Sequence, residues 1–121
     1  MSQELSLSVF EMIGNPLAVA SDDGQKVFDR VSAGLKEGKT VALSFRNVKS
    51  ITSAFLNAAI GQLYGKFSEE QIRAQLKVLD VQPDDLVLLK RVVDTAKAYF
   101  ADPERFRDVA RKVLGKSSDG E

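Results

Sequence analysis

The sequence predicts an α/β domain: a mixed sheet of about four strands, an N-terminal hairpin plus parallel strands, packed with four to five helices. Three observations carry that expectation. Short runs rich in β-formers, "LSLSVF" at 5–10, "TVALSF" at 40–45 and "LKVLDV" at 76–81, alternate with segments whose apolar residues recur at helical spacing. Strands separated by helices imply parallel pairing through right-handed crossovers. A chain of 121 residues, 44% hydrophobic and 28% charged, has the size and composition of one globular domain whose core needs no staples.

Along the chain, Leu5, Leu7 and Val9 alternate with Ser6 and Ser8, the period of a strand with one wet face. Asn15–Pro16 marks a turn, and "LAVA" at 17–20 is expected as the hairpin partner. Ser21, followed by Asp22 and Asp23, is expected to cap a helix. Val27, Phe28, Val31 and Leu35 share one face of it, and Gly38 stops it. "TVALSF" is apolar nearly throughout, as a central strand is. A second helix is expected over 54–67, with Phe55, Ala59, Leu63 and Phe67 in one row beside Leu56, Ile60 and Tyr64. Gly61 and Gly65, four apart, are expected to let a neighbour approach closely.

Ser68, Glu69, Glu70 and Gln71 form a capping box, with Phe67 placed to staple onto Ile72. The short helix they open leads into the strand at 76–81. Pro83 suits a first helical position, and Asp84 and Asp85 suit the turn behind it. Leu86, Leu89, Val93, Ala96 and Phe100 form the expected buried stripe of that long helix. Asp102–Pro103 opens a last helix with Phe106, Val109, Ala110 and Val113 on one face, ending at Gly115. "KSSDGE" is too polar to pack, so a single domain over 1–115 is expected, followed by a disordered tail at 116–121.

Two zeros constrain the chemistry more than any motif. Without cysteine there is no disulfide, no thiolate nucleophile and no Cys-based metal site. Without histidine the usual near-neutral acid–base group and the commonest metal ligand are missing. Ser–His–Asp and Cys–His hydrolases, zinc enzymes and histidine phosphotransfer cannot be assembled from these residues. Glycines at 14, 24, 34, 38, 61, 65, 115 and 120 are scattered, so no phosphate loop exists. Asp80, Asp84 and Asp85 gather near a strand end. A receiver-type metal site would also need an acidic pair after the first strand and a lysine after the last, and a helix dipole already explains Asp22 and Asp23. No metal and no other cofactor are expected.

Lysine plus arginine equals aspartate plus glutamate at 17 each, so no overall field draws the chain to nucleic acid or an anionic membrane. "KRVVDTAK" and "RFRDVARK" are laced with acids and read as solvated faces. "MSQELSLSVFEMIG" lacks the cationic start of a signal peptide, and no apolar run is long enough to span a bilayer. A cytoplasmic location is expected.

"KSITSAFLNAAIGQLYGKF", residues 49–67, carries a Thr–Ser pair where a strand hands over to a helix. Ser53 or Thr52 serves there as an N-cap, worth about 1 kcal/mol. Free amides at the same helix start favour an anion, so a phosphoserine would be held there rather than expelled. With these residues the stretch "VALSFRNVKSITSAFLNAAIGQLYGKF" resembles the STAS domains of bacterial anti-sigma factor antagonists, and more closely the STAS-like family of undefined function. The resemblance continues through "LKVLDVQPDDLVLLKRVVDTA" and covers about residues 24–97. It implies a non-enzymatic, partner-switching role beside ATPase- or kinase-type proteins. The antagonists carry an Asp–Ser–Ser–Gly turn whose second serine accepts phosphate. Aligning the turns puts Thr52 on the aspartate, Ser53 on the first serine, Ala54 on the acceptor and Phe55 on the glycine. The acceptor hydroxyl is missing. Either Ser53 or Thr52 replaces it, or the turn is unmodified and binds its partner constitutively, which is the favoured reading.

The expected function is therefore a regulatory protein-interaction module, not an enzyme, that docks an ATPase- or kinase-type regulator through the turn at 50–56. Asn47, Thr52, Ser53, Phe55 and Asn57 are its expected partner-binding or phosphorylation residues, with Thr52, Ser53 and Phe55 partly exposed at the helix start. The alternative is a small-molecule or nucleotide-binding domain using the crevice at the carboxyl ends of the strands, near Asn47, Thr52 and Gln82. An enzyme of carboxylate or Ser/Lys chemistry ranks last. The partner is expected to be a protein, not nucleic acid or membrane, and the chain a monomer or weak homodimer.

Overall fold

In the computed structural model, which describes residues 3–101, β1 (Glu4–Ser8) runs parallel to β3 (Thr40–Ser44), and β3 parallel to β5 (Leu76–Leu79). The helix expected at 102–115 and the tail at 116–121 lie outside the described residues. Register sets the two faces of this sheet. Leu5, Val41 and Leu76 form one row and Leu7, Leu43 and Val78 the next, all on the apolar side. Ser6, Ala42 and Lys77 form a row on the other side, where Lys77 Nζ lies 3.8 Å from Glu4. The period-two pattern of "LSLS" is thus the pattern of one apolar and one polar face.

The α/β class holds, with every strand pairing parallel. No N-terminal hairpin forms. Ser8 ends β1 by capping a short helix, α1 (Val9–Ile13): its Oγ accepts from the Glu11 amide at 3.1 Å. Gly14, at φ +77°, closes α1 in the left-handed conformation that suits glycine. This helical turn carries the chain away from β1 before it extends again. The two residues of β2 (Leu17–Ala18) then pair instead with β4 (Ser50–Ile51) in a separate two-stranded ladder.

α2 (Ser21–Lys36) lies on the apolar side of the sheet, and a Cβ at its Gly34 would sit 2.8 Å from Val41 Cγ2. Ala20, not Ser21, occupies its cap position, with no side-chain hydrogen bond. The helix expected over 54–67 is two pieces. α3 (Ser53–Ala59) ends at Ile60, and a 3-10 segment (Gly61–Gly65) follows. Gly61 is a weak helix former at the break, and Gln62 Nε2 donates to the Ala58 carbonyl at 2.8 Å there. The apolar rows survive the break: Phe55, Leu56, Ala59, Ile60 and Leu63 are all buried.

α4 (Glu69–Gln75) starts as the sequence predicts, with Ser68 Oγ accepting from the Gln71 amide at 3.0 Å. α5 (Pro83–Ala101) starts at Pro83. Its stripe is rotated from the expected one. Val92 and Ala96 are the buried positions, whereas Leu86 is 49% and Phe100 39% exposed. The helix leans on the 3-10 segment through Ala96 Cβ and Val92 Cγ1, both beside Gly61. Leu89 and Val93 consequently face a cleft and are half-buried.

Gly65 admits a side chain rather than a backbone, since a Cβ there would lie 2.6 Å from the Phe100 ring. The close backbone approach is made by Gly24 of α2. A Cβ there would lie 2.5 Å from the Phe55 carbonyl oxygen and 2.8 Å from Ala58 Cβ, whereas at Gly61 the nearest atom is 3.6 Å away. Gly24→Ala should therefore destabilise the domain by about 1–3 kcal/mol, because backbone has to move. Gly61→Ala should cost less than about 0.5 kcal/mol. Urea unfolding of the two variants checks both values, and equal losses would contradict the contact geometry.

Candidate functional site

The turn between β4 and α3 rests on the β2–β4 ladder. Pro16 O accepts from the Lys49 amide at 2.8 Å, and Ala18 O accepts from the Thr52 amide at 3.2 Å. Thr52 is the N-cap of α3: Oγ1 accepts from the Phe55 amide at 3.2 Å and donates to Val19 O at 2.7 Å. Its hydroxyl is occupied on both sides, so it joins the helix start to the end of β2. Ser53 is the first helical residue, exposed, and its hydroxyl has no partner among the described residues.

Phe55 corrects the expectation of an exposed aromatic. It is fully buried, and its ring meets Phe45 edge-on with centroids 6.5 Å apart. Its place is the core beneath the turn, where burying a side chain of this size contributes about 2–3 kcal/mol. Asn57 is exposed on the next turn of α3. Asn47 lies in the loop between β3 and β4. It adopts φ +69° inside a turn closed by Val48 N donating to Phe45 O at 3.1 Å. Asparagine tolerates that left-handed conformation, so turn geometry alone accounts for it.

Sequence reasoning missed Leu17 and Val19. Ala18 is buried, and the residues on either side of it point outward: Leu17 is 48% and Val19 40% exposed. Leu17 lies beside Ser50, its register partner, and Val19, just past the end of β2, is held next to the turn by its carbonyl's bond to Thr52. The signal was present in "LAV", where a small residue between two large ones marks the inward position; Ala20, at the cap of α2, is exposed. Thr52, through its bond to Val19 O, brings the start of α3 with exposed Ser53 to these two residues; Phe55 is absent from that rim, and Asn57 Oδ1 lies instead near Gly61.

At the carboxyl rim of the three-stranded sheet, Ser44 Oγ donates to Asp80 Oδ2 at 2.6 Å and accepts from the Arg46 amide at 3.1 Å. Asp80 holds φ +62° and ties β5 back to β3. Among the described residues no three acidic side chains gather to hold a metal ion. Gln82 O accepts from the Leu86 amide at the start of α5.

A second polar cluster lies on the opposite flank. Glu69 Oε2 is 2.6 Å from Arg73 Nη2 and 3.0 Å from Lys97 Nζ, so α4 is strapped to α5. The hydrogen bond from Lys97 holds the Glu69 carboxyl below the usual glutamate range and, reciprocally, holds the ammonium above the usual lysine range. Burial raises the nearby Tyr64 phenol.

The family model described as a STAS-like domain of unknown function (DUF4325) matches residues 23–86, more than half of the chain. The chain belongs to that family. No curated protein and no solved structure matches it. The matched span of this STAS-like domain runs from α2 to the first turn of α5 and contains the whole β4–α3 turn. No helix among the described residues is long and apolar enough to cross a membrane.

Two outcomes follow from these contacts. Thr52→Val keeps the shape but loses both hydrogen bonds, and should destabilise the domain by about 1–2 kcal/mol. Ser53→Ala should stay within about 0.5 kcal/mol of the parent; chemical denaturation of both variants checks the assignment of the cap. The strap has a pH signature. Because its folded pKa is depressed, Glu69 stabilises the fold above its unfolded pKa, and that contribution fades as pH falls through the lower folded value. Carboxyl NMR titration should find Glu69 below the usual glutamate range, and Lys97→Met should move it upward.

Proposed function

We propose that this STAS-like domain is a non-enzymatic, cytoplasmic interaction module that docks a regulatory protein through the rim formed by β2 and the β4–α3 turn. The observation that supports it is the pairing of exposed Leu17 and Val19 with the exposed start of α3. Single exposed apolar residues are ordinary on protein surfaces, but two flanking one buried alanine beside a fixed turn form a small patch. The β3–β4 loop beside it is cationic, whereas α2 on its other side opens with exposed Asp22, three residues after Val19. Arg46 and Lys49 are exposed, and no acid occurs between Phe45 and Phe67. A partner surface with an apolar centre and acidic residues opposite Arg46 and Lys49 complements it.

The partner is a protein of the ATPase- or kinase-type regulator class, met by a monomer or weak homodimer. Thr52 has its hydroxyl engaged, so Ser53 is the turn hydroxyl that a kinase would reach, and the unmodified turn is the binding state. Phosphate on Ser53 would add about 1.5 to 2 negative charges. Beside Arg46 and Lys49 it would cancel most or all of their positive charge.

Photo-crosslinking in cells tests the surface. A photoreactive side chain at position 53 should give a discrete protein adduct, and the same group at exposed Lys90 should not. Leu17→Asp with Val19→Asp should abolish the adduct without shifting the melting temperature by more than about 2 °C. Identical adducts from positions 53 and 90, or an adduct that survives the double substitution, would overturn the reading.

A further inference from the structure

We infer that the cleft between α4, β5 and α5 is a binding site for a small amphiphile with an apolar body and a single carboxylate. The cleft has a volume of about 230 Å³, and its floor is Ile60, Ile72, Leu76, Val78, Leu89 and Val93. That floor offers no polar side chain, so the body of an occupant has to be apolar. All the polarity is on one rim, where Tyr64, Glu69, Arg73 and Lys97 also line the space.

The charge on the rim selects the head group. Arg73 and Lys97 both reach the same oxygen of Glu69, so two cations face one anion and the rim keeps one excess positive charge. An ammonium has three donors, and Glu69 is the acceptor described for Lys97. The remaining donors suit an incoming carboxylate, while an ammonium head group would be repelled. The excess of a single charge fits a monocarboxylate better than a phosphate.

The cleft exists because α5 leans toward Gly61 through Val92 and Ala96 rather than closing over β5. It is separate from the docking rim. None of its lining residues belongs to β2, β4 or the turn, and Leu89, Val93 and Lys97 lie beyond the residues matched by the family. The two proposals therefore stand or fall independently.

Methyl NMR of the full chain, titrated separately with octanoate, octanol and octylamine, is the test. Octanoate should shift the methyl resonances of Val78, Leu89 and Val93 saturably and bind about fivefold more tightly than octanol, the upper range of a half-exposed ion pair. Octylamine should bind more weakly than both. Lys97→Met should erase the preference for octanoate while leaving the octanol isotherm in place. Val93→Phe, which fills the cleft, should remove binding of both probes, with the thermal melt confirming that this variant folds. Equal affinity for octanoate and octanol, shifts scattered away from the cleft, or no saturable shift would each overturn the assignment.

Discussion

The position of the Phe55 side chain is the constraint on which the rest of the domain depends. Its ring is the largest fully buried side chain and stands edge-on against Phe45 at the end of β3. Its amide is the one capped by Thr52, and its carbonyl is the atom that forbids a side chain at Gly24. One residue thus fastens α3 to the central strand, to the β2–β4 ladder and to α2. Truncating a buried phenylalanine costs about 3–5 kcal/mol, a large part of the 5–15 kcal/mol that holds a typical domain together.

That arrangement explains why a bulky residue can stand where the antagonist turn carries glycine. The aromatic ring points down into the core, and the rim above it is left to Thr52, Ser53 and Ala54. Thr52 spends its hydroxyl on structure, once toward Phe55 and once toward Val19. The exposed hydroxyl at the rim is that of Ser53, and the exposed apolar side chains beside it are those of Leu17 and Val19. Rigidity below the turn and accessibility above it have the same origin.

Where one local force dominated, the sequence was enough. The alternation of β1, the apolar run of β3, the Ser68 cap and Pro83 at the head of α5 were all legible for that reason. Competition between local and distant forces hid the rest. "LSLSVF" and "LAVA" satisfy a hairpin pattern, yet the Ser8 cap and Gly14 favour a helical turn between them. The rows of 55–67 read as one helix because Gly61 disturbs neither row, although the backbone changes at Ile60. Ser53 and Thr52 are equivalent caps in sequence, and only the Val19 carbonyl, 33 positions away, decides between them. The stripe of α5 was misplaced because two faces are apolar, and contact with Gly61 selects the one bearing Val92 and Ala96.

The break at Ile60 divides labour within a segment that periodicity presents as uniform. Before it, α3 keeps regular α-helical geometry, and its start carries the exposed rim at Ser53. Beyond it, the tighter 3-10 segment turns Tyr64 toward α4 and lets α5 settle against Gly61. Ile60 itself is 2% exposed, caps α3 and contributes to the floor of the cleft. A continuous helix through this point would carry the following residues around by 100° per position rather than about 120°, moving Leu63 and Tyr64 off their present faces. Both surfaces of the domain therefore require the helix to stop where it does.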